Sequence, residues 1–144
     1  MINKKQLESL VIRTLEEYKL FSEEAVNLII GTIAQESRGG TYIRQLNDGP
    51  ARGIAQIEKP TFDWLKDKFQ HRFGLEHFEF EQLEWDLKAS ILFCRLRYLA
   101  VPEALPTTIG GMATYWKKYY NTVYGGGTEA EYIINYQNYI KVKK

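Results

Sequence analysis

The chain has 144 residues, 19 Lys plus Arg against 18 Asp plus Glu, and a formal charge of +1. That length fits one domain, residues 1–144, able to bury a continuous core without disulfides or a structural metal. A near-neutral balance with no clustered basic face excludes the electrostatic footprint of a nucleic-acid binder.

Residues 4–19 place Leu7, Leu10, Val11, Leu15 and Tyr18 on one face, the pattern of an amphipathic helix. The same N-terminal stretch has lysines but no uninterrupted apolar run of signal-peptide length, and nothing further on approaches the roughly twenty apolar residues that cross a bilayer. A soluble chain with no export address and no membrane insertion is therefore expected.

Ser22 is placed to cap a second helix, and Glu23 and Glu24 behind it favour the positive end of the helix dipole. This helix is predicted to run to about Ser37 and to stop at Gly39-Gly40. Counting back from Glu36 in helical steps gives Ile33, Thr32, Ile29, Leu28 and Ala25, an apolar stripe. A carboxylate on that inward face loses hydration, and the negative end of its own helix further disfavours ionisation, so both effects hold the proton on. A carboxylic acid protonated near neutral pH can serve as the general acid of glycoside cleavage. The plainer reading turns Glu36 outward, solvated or paired with Arg38, Arg44 or Arg52.

From Gly39 to about Lys59 the chain is rich in Gly, Asn, Asp and Pro, centred on "NDGPARG", which predicts a long ordered loop or short irregular hairpin. Long loops inside small domains are usually functional. Within this one, Gly53 is expected for its backbone geometry. Arg44 and Arg52 are read either as meeting peptide carboxylates or, more simply, as solvated. Pro60 and Thr61 open a third helix through "FDWLKDKFQHRF" to Gly74. His71 and His77 are not spaced as metal ligands, and neither a metal nor an organic cofactor is expected.

Residues from about Phe80 to Val101 show two apolar faces, one of Phe80, Leu83, Leu87, Ile91, Cys94 and Tyr98, the other of Trp85, Ala89, Leu92, Leu96 and Leu99. Such a helix belongs in the centre of the core, and Pro102 ends it. Cys94, the only cysteine, is expected to be a packed thiol. A further helix is predicted from about Gly111, and "GGGTEAEYIINYQNYI" supplies a turn followed by Thr128 and Glu131 as the capping box of a last helix. The expected fold class is mainly α, with at most a short irregular β-hairpin. Ten Tyr and three Trp against seven Phe suit flat polar ligands such as sugars, or equally a Tyr-rich core.

"AQES" followed after the loop by "ARGIAQIEKPTF" resembles the catalytic segment of the soluble lytic transglycosylases and goose-type lysozymes. In that group a helix ends in Glu-Ser and a loop leads to Gly-Ala-x-Gly-Leu-Met-Gln, then Pro and Thr. Glu36 and Ser37 match the Glu-Ser, Ala51 and Gly53 the Ala-x-Gly, Gln56 the Gln, and Pro60 with Thr61 the later pair. "MATYWKK" is similar to the group's Ala-Tyr-Asn region, which would make Tyr115 the tyrosine that reaches toward the acid. The loop between Glu36 and Gln56 is slightly longer than usual, the group's Ser has no counterpart in it, with Asn47 and Asp48 nearby instead, and Trp116 stands where Asn would follow.

The resemblance implies a lysozyme-like helical fold and cleavage of peptidoglycan glycan strands between N-acetylmuramic acid and N-acetylglucosamine. Glu36 would be the catalytic residue, and Ser37, Asp48, Gln56 and Tyr115 would contact substrate. A hydrolytic version would need a second carboxylate to activate water, for which Asp48 is the nearest candidate, although an Asp-Gly turn residue is its simpler description. Gln56 would fix the acid or a sugar hydroxyl. A non-catalytic glycan-binding module is the remaining alternative. "YWKKYYNT" is similar to phage-borne lysozyme-like domains, so delivery to the cell wall with a phage or secretion assembly is the expected route.

Overall fold

The computed structural model describes residues 1–122 and 125–141. Six α-helices account for most of them: α1 (Lys4–Glu17), α2 (Glu23–Ser37), α3 (Lys59–Phe73), α4 (Leu87–Leu99), α5 (Ile109–Trp116) and α6 (Glu129–Lys141). The fold is mainly α. β-type pairing is limited, among the described residues, to isolated bridges joining Arg44 to Arg52 and Arg52 to Ile57.

The caps form as local chemistry dictates. Asn3 Oδ1 accepts the Gln6 N–H at the start of α1, and Ser22 Oγ accepts that of Ala25 at the start of α2. At α6, Thr128 and Glu131 bond reciprocally, Oγ1 accepting at 3.1 Å and the Glu131 carboxylate accepting the Thr128 N–H at 2.9 Å. Each such cap satisfies amides that the first helical turn leaves without partners.

Two helices share the centre. In α2 every residue from Leu28 to Ala34 is buried, and in α4 every residue from Ala89 to Leu96. α2 packs against α1, α4, α5 and α6, and α4 also against α1 and α3. Gly31 makes one of these contacts possible: a Cβ there would collide with the Tyr132 hydroxyl, which reaches past it to donate to the Leu28 carbonyl at 3.2 Å. Cys94 is fully buried, and loss of water pushes its thiol up to about 12, so it is a packing residue.

The stretch expected to form one helix from Phe80 to Val101 is divided. Phe80–Glu84 is a 3₁₀ turn held by a Glu79–Gln82 capping box, and α4 begins only after Asp86, whose Oδ1 accepts the Ala89 N–H at 3.1 Å. Trp85 lies at the break and is 72% exposed, not on an inward face. Two short-range caps in succession outcompete the continuation of a single helix. α5 starts at Ile109, capped by Thr108 rather than near Gly111, and runs straight into a wider π-helical turn, Lys117–Asn121.

Candidate active site

The end of α2 fixes where Glu36 lies. Arg38, Gly39 and Gly40 all take positive φ (53°, 69° and 80°), which no continuing helix allows, and the Gly39 N–H returns to the Ile33 carbonyl at 3.1 Å. This is the left-handed stop common at helix C-termini. Ser37 Oγ accepts the Gly40 N–H at 2.9 Å and lies fully buried. Ser37, expected to contact substrate, instead secures this turn: its hydroxyl is committed to the backbone that ends the helix.

Glu36 therefore stays in the last turn, half-buried, with its carboxyl toward α5. The Trp116 indole N–H donates to its Oε2 at 2.9 Å. Burial is the dominant influence and pushes the Glu36 carboxyl up to about 7, against the opposing effects of the Trp116 hydrogen bond and the Arg97 charge. None of Arg38, Arg44 and Arg52 pairs with it. Arg44 and Arg52 both close on Glu84, at 2.8 and 3.0 Å, and so pin the loop to the turn before α4; Arg44 stays exposed to solvent as expected, while Arg52 is half-buried. Hydrogen bonding to Arg44 holds the Glu84 carboxyl below the usual range.

The loop presents Gln56. Gly53 (φ 81°) has no room for a side chain, since a Cβ would lie 2.6 Å from the Leu83 carbonyl oxygen and closer still to Ser90 Oγ. The chain turns so tightly there that both the backbone N–H and the side-chain Nε2 of Gln56 donate to the Gly53 carbonyl, at 3.0 and 2.9 Å. Gln56 is itself left-handed (φ 53°), a conformation a non-glycine side chain adopts at a cost and which is concentrated at functional sites.

Glu36 opens on a polar cavity of about 250 Å³ whose walls include Gln45, Gln56, Glu58, Tyr120 and Asn121. A second cavity of about 220 Å³ shares Gln56, Glu58, Tyr120 and Asn121 and adds Thr61 and Arg97. Together they form one groove beside the acid. A larger cleft of about 400 Å³ between Tyr18 and Phe73 is lined by none of these residues. Among the described residues no group of three or more His, Cys, Asp or Glu side chains is arranged to hold a metal ion.

Two residues expected at the site lie outside the groove. Asp48 stands on an exposed 3₁₀ turn, Leu46–Asp48, with φ 59°, and lines neither part of the groove. The turn-forming chemistry of Asn-Asp-Gly sets its place. Tyr115 points elsewhere: its hydroxyl donates to the Glu103 carbonyl at 2.9 Å and its ring packs on Tyr98 and Tyr119. The residues at the groove are Tyr120 and Asn121, which carry the Tyr-Asn order five positions later. Five residues turn a helix by about 140°, and the π-helical turn after Trp116 redirects the chain further.

This segment is fastened by two cations. Lys117 Nζ holds Asn121 Oδ1, the Gly127 carbonyl and the Gly125 carbonyl at 2.7, 2.8 and 3.1 Å. Arg97 donates to the Tyr119 and Tyr120 carbonyls and to Thr61 Oγ1, and its guanidinium lies over the Tyr120 ring. Tyr120 in turn donates to the Ala55 carbonyl at 2.6 Å. Sequence reasoning missed Tyr120, Asn121, Glu58 and Trp116. The Tyr-Asn pair was the signal that could have located the first two.

No family model, curated protein or solved structure matches this chain. Among the described residues no helix is long and apolar enough to cross a membrane.

Proposed function

We propose that this protein cleaves the glycan strands of peptidoglycan by the lytic transglycosylase route, with Glu36 as the one acid and base. The observation that carries the reading is a carboxyl pushed up to about 7 at the mouth of a polar groove. The resemblance of the segments around Glu36 and Gln56 to that family, and a mainly helical frame of the class its fold belongs to, support it.

Protonated Glu36 donates its proton to the glycosidic oxygen as the bond from that oxygen to the muramyl C1 breaks. The resulting carboxylate then takes the proton of the C6 hydroxyl as O6 bonds to C1, giving a 1,6-anhydro sugar without consuming water. The glutamate ends the cycle protonated. An acid near pH 7 suits both halves, being a fair donor and, once ionised, a fair acceptor. The Trp116 N–H stabilises the carboxylate between the two transfers. Positive charge developing at C1 is offset by that carboxylate and, as the family resemblance implies, by the substrate's own acetamido oxygen.

The hydrolytic reading with Asp48 has lost its support, because that side chain stands outside the groove. Overnight digestion of purified peptidoglycan by wild type and Glu36→Gln, with mass analysis of the fragments, tests the proposal. Anhydro-ended fragments from wild type and none from the variant are expected. Hydrated reducing ends would make it a lysozyme, with water activation assigned to another carboxylate. Intact strands that still bind would make it a glycan-binding module.

A further inference from the structure

Arg97 acts on Glu36 without touching it. Its positive charge favours the ionised carboxylate, and of the charged side chains described it is the one that does so. Cys94 and Tyr120 also sense the acid's charge, but burial keeps thiol and phenol neutral. Glu58 shares the acid's cavity and adds nothing to that balance, and no charged group of α1 or α6, which pack on α2, enters it. Lys117 is committed to Asn121 and two glycine carbonyls.

No ion pair joins Arg97 to Glu36 among the described residues, because all three guanidinium nitrogens are spent elsewhere. Nε donates to the Tyr119 carbonyl at 3.3 Å, Nη2 to the Tyr120 carbonyl at 3.2 Å and Nη1 to Thr61 Oγ1 at 2.9 Å. The guanidinium carbon also stands 5.4 Å from the centre of the Tyr120 ring. These partners come from α3 and from the π-helical turn, so a side chain of α4 is held from two other elements at once. Only a planar fork with a permanent charge can make all three bonds, which a lysine could not.

The restraint has a chemical consequence. Direct contact with a guanidinium would keep Glu36 ionised through the neutral range and leave no proton to donate. With no cation at all, burial would hold the proton too firmly for a good donor. We infer that Arg97 is a positioning residue for Glu36, its bonds to Thr61, Tyr119 and Tyr120 keeping a fixed positive charge within electrostatic reach of the acid and out of contact with it. The charge supports the carboxylate that exists between the two proton transfers without removing the first proton in advance. That part in catalysis rests on the cleavage reading above.

Titration of the Glu36 carboxyl, followed by carbon-13 NMR in the intact glutamate-labelled chain with no substrate present, tests this. Arg97→Gln removes the charge and keeps an amide donor, and the Glu36 midpoint is expected to rise by about half a unit. Thr61→Val keeps the shape and removes one tether, so the released guanidinium closes on the acid and the midpoint is expected to fall by about half a unit. Loosening that merely admitted water would lower the midpoint in both variants, so opposite signs identify the charge. With both changes together Thr61→Val should add nothing, since it acts through Arg97. A midpoint that stays or falls in Arg97→Gln, stays or rises in Thr61→Val, or responds to Thr61→Val equally with and without Arg97, overturns the inference. Should Arg97→Gln fail to fold, the direction of the Thr61→Val shift still decides. Anhydro products from the digest alongside an overturning result leave the cleavage reading standing without Arg97. The expected shifts alongside uncut strands keep the tethered charge and discard the reaction.

Discussion

The Trp116 indole N–H donates to Glu36 Oε2 at 2.9 Å, joining the end of α5 to the last turn of α2. This bond stabilises the ionised carboxylate against the burial that favours the acid. Trp116→Phe keeps an aromatic ring and removes the donor, so the acid should hold its proton to higher pH. The alkaline limb of the kcat/KM profile is expected to move up by about one unit. Because Trp116 is fully buried against Tyr132, thermal or urea unfolding should also show a loss of about 1–2 kcal/mol from the smaller ring. An alkaline limb that stays in place would mean the indole does not govern the acid.

The raised Glu36 carboxyl makes stability depend on pH with a definite sign. The ordinary value is 4.5 and the folded value is about 7, so between these limits the folded state binds more protons than the unfolded one. Stability therefore falls as pH rises through that window, by at most about 3 kcal/mol from this group alone. Glu36→Gln should be inactive and should show no such contribution. The midpoint of thermal unfolding for wild type and variant, followed from pH 4 to pH 8, is expected to diverge in favour of the variant toward pH 8. Activity of the wild type should decline above about pH 7 as the acid form is depleted.

Tyr120, and not Tyr115, stands at the groove. Tyr120→Phe removes the hydroxyl that donates to the Ala55 carbonyl, loosening a wall of the cavity that Glu36 shares, and is expected to lower kcat by about tenfold. Tyr115→Phe and Asp48→Asn should each leave kcat within about twofold of wild type, because their side chains are directed away from the acid. Steady-state rates on purified peptidoglycan distinguish the two tyrosines directly. The reverse order would restore Tyr115 as the functional partner.

Gly53→Ala should be costly. Its φ of 81° disfavours any side chain, and the added Cβ would press on the Leu83 carbonyl and Ser90 Oγ. A loss of about 2–4 kcal/mol is expected in denaturant unfolding. Because the Gly53 carbonyl holds both amide donors of Gln56, any protein that still folds should lose activity through a displaced Gln56.

The caps show how far local reading carries. Ser22 at α2, and Thr128 with Glu131 at α6, bond within three residues of themselves, so short-range order in the chain was sufficient to place them. The single helix expected from Phe80 failed for the same kind of reason, since the Glu79–Gln82 and Asp86–Ala89 caps are equally local and were overlooked behind a long apolar pattern. Trp85 illustrates the cost of reading periodicity through a break: once the helix restarts, the face assigned before it no longer applies.

Within the candidate site the division is sharper. The helical stripe from Ala25 to Ile33 was enough to put Glu36 on an inward face, and the run of left-handed residues at Arg38, Gly39 and Gly40 was signalled by two adjacent glycines. What surrounds the acid was not legible. Trp116 reaches it from 80 residues away, the loop arginines chose Glu84 over Glu36, and a π-helical turn brought forward Tyr120 and Asn121 in place of Tyr115. Periodicity and capping depend on neighbours a few residues apart and can be read from the chain itself. The water lost by one carboxyl, and the partners that replace it, depend on which distant helices pack together, and only the tertiary structure decides that.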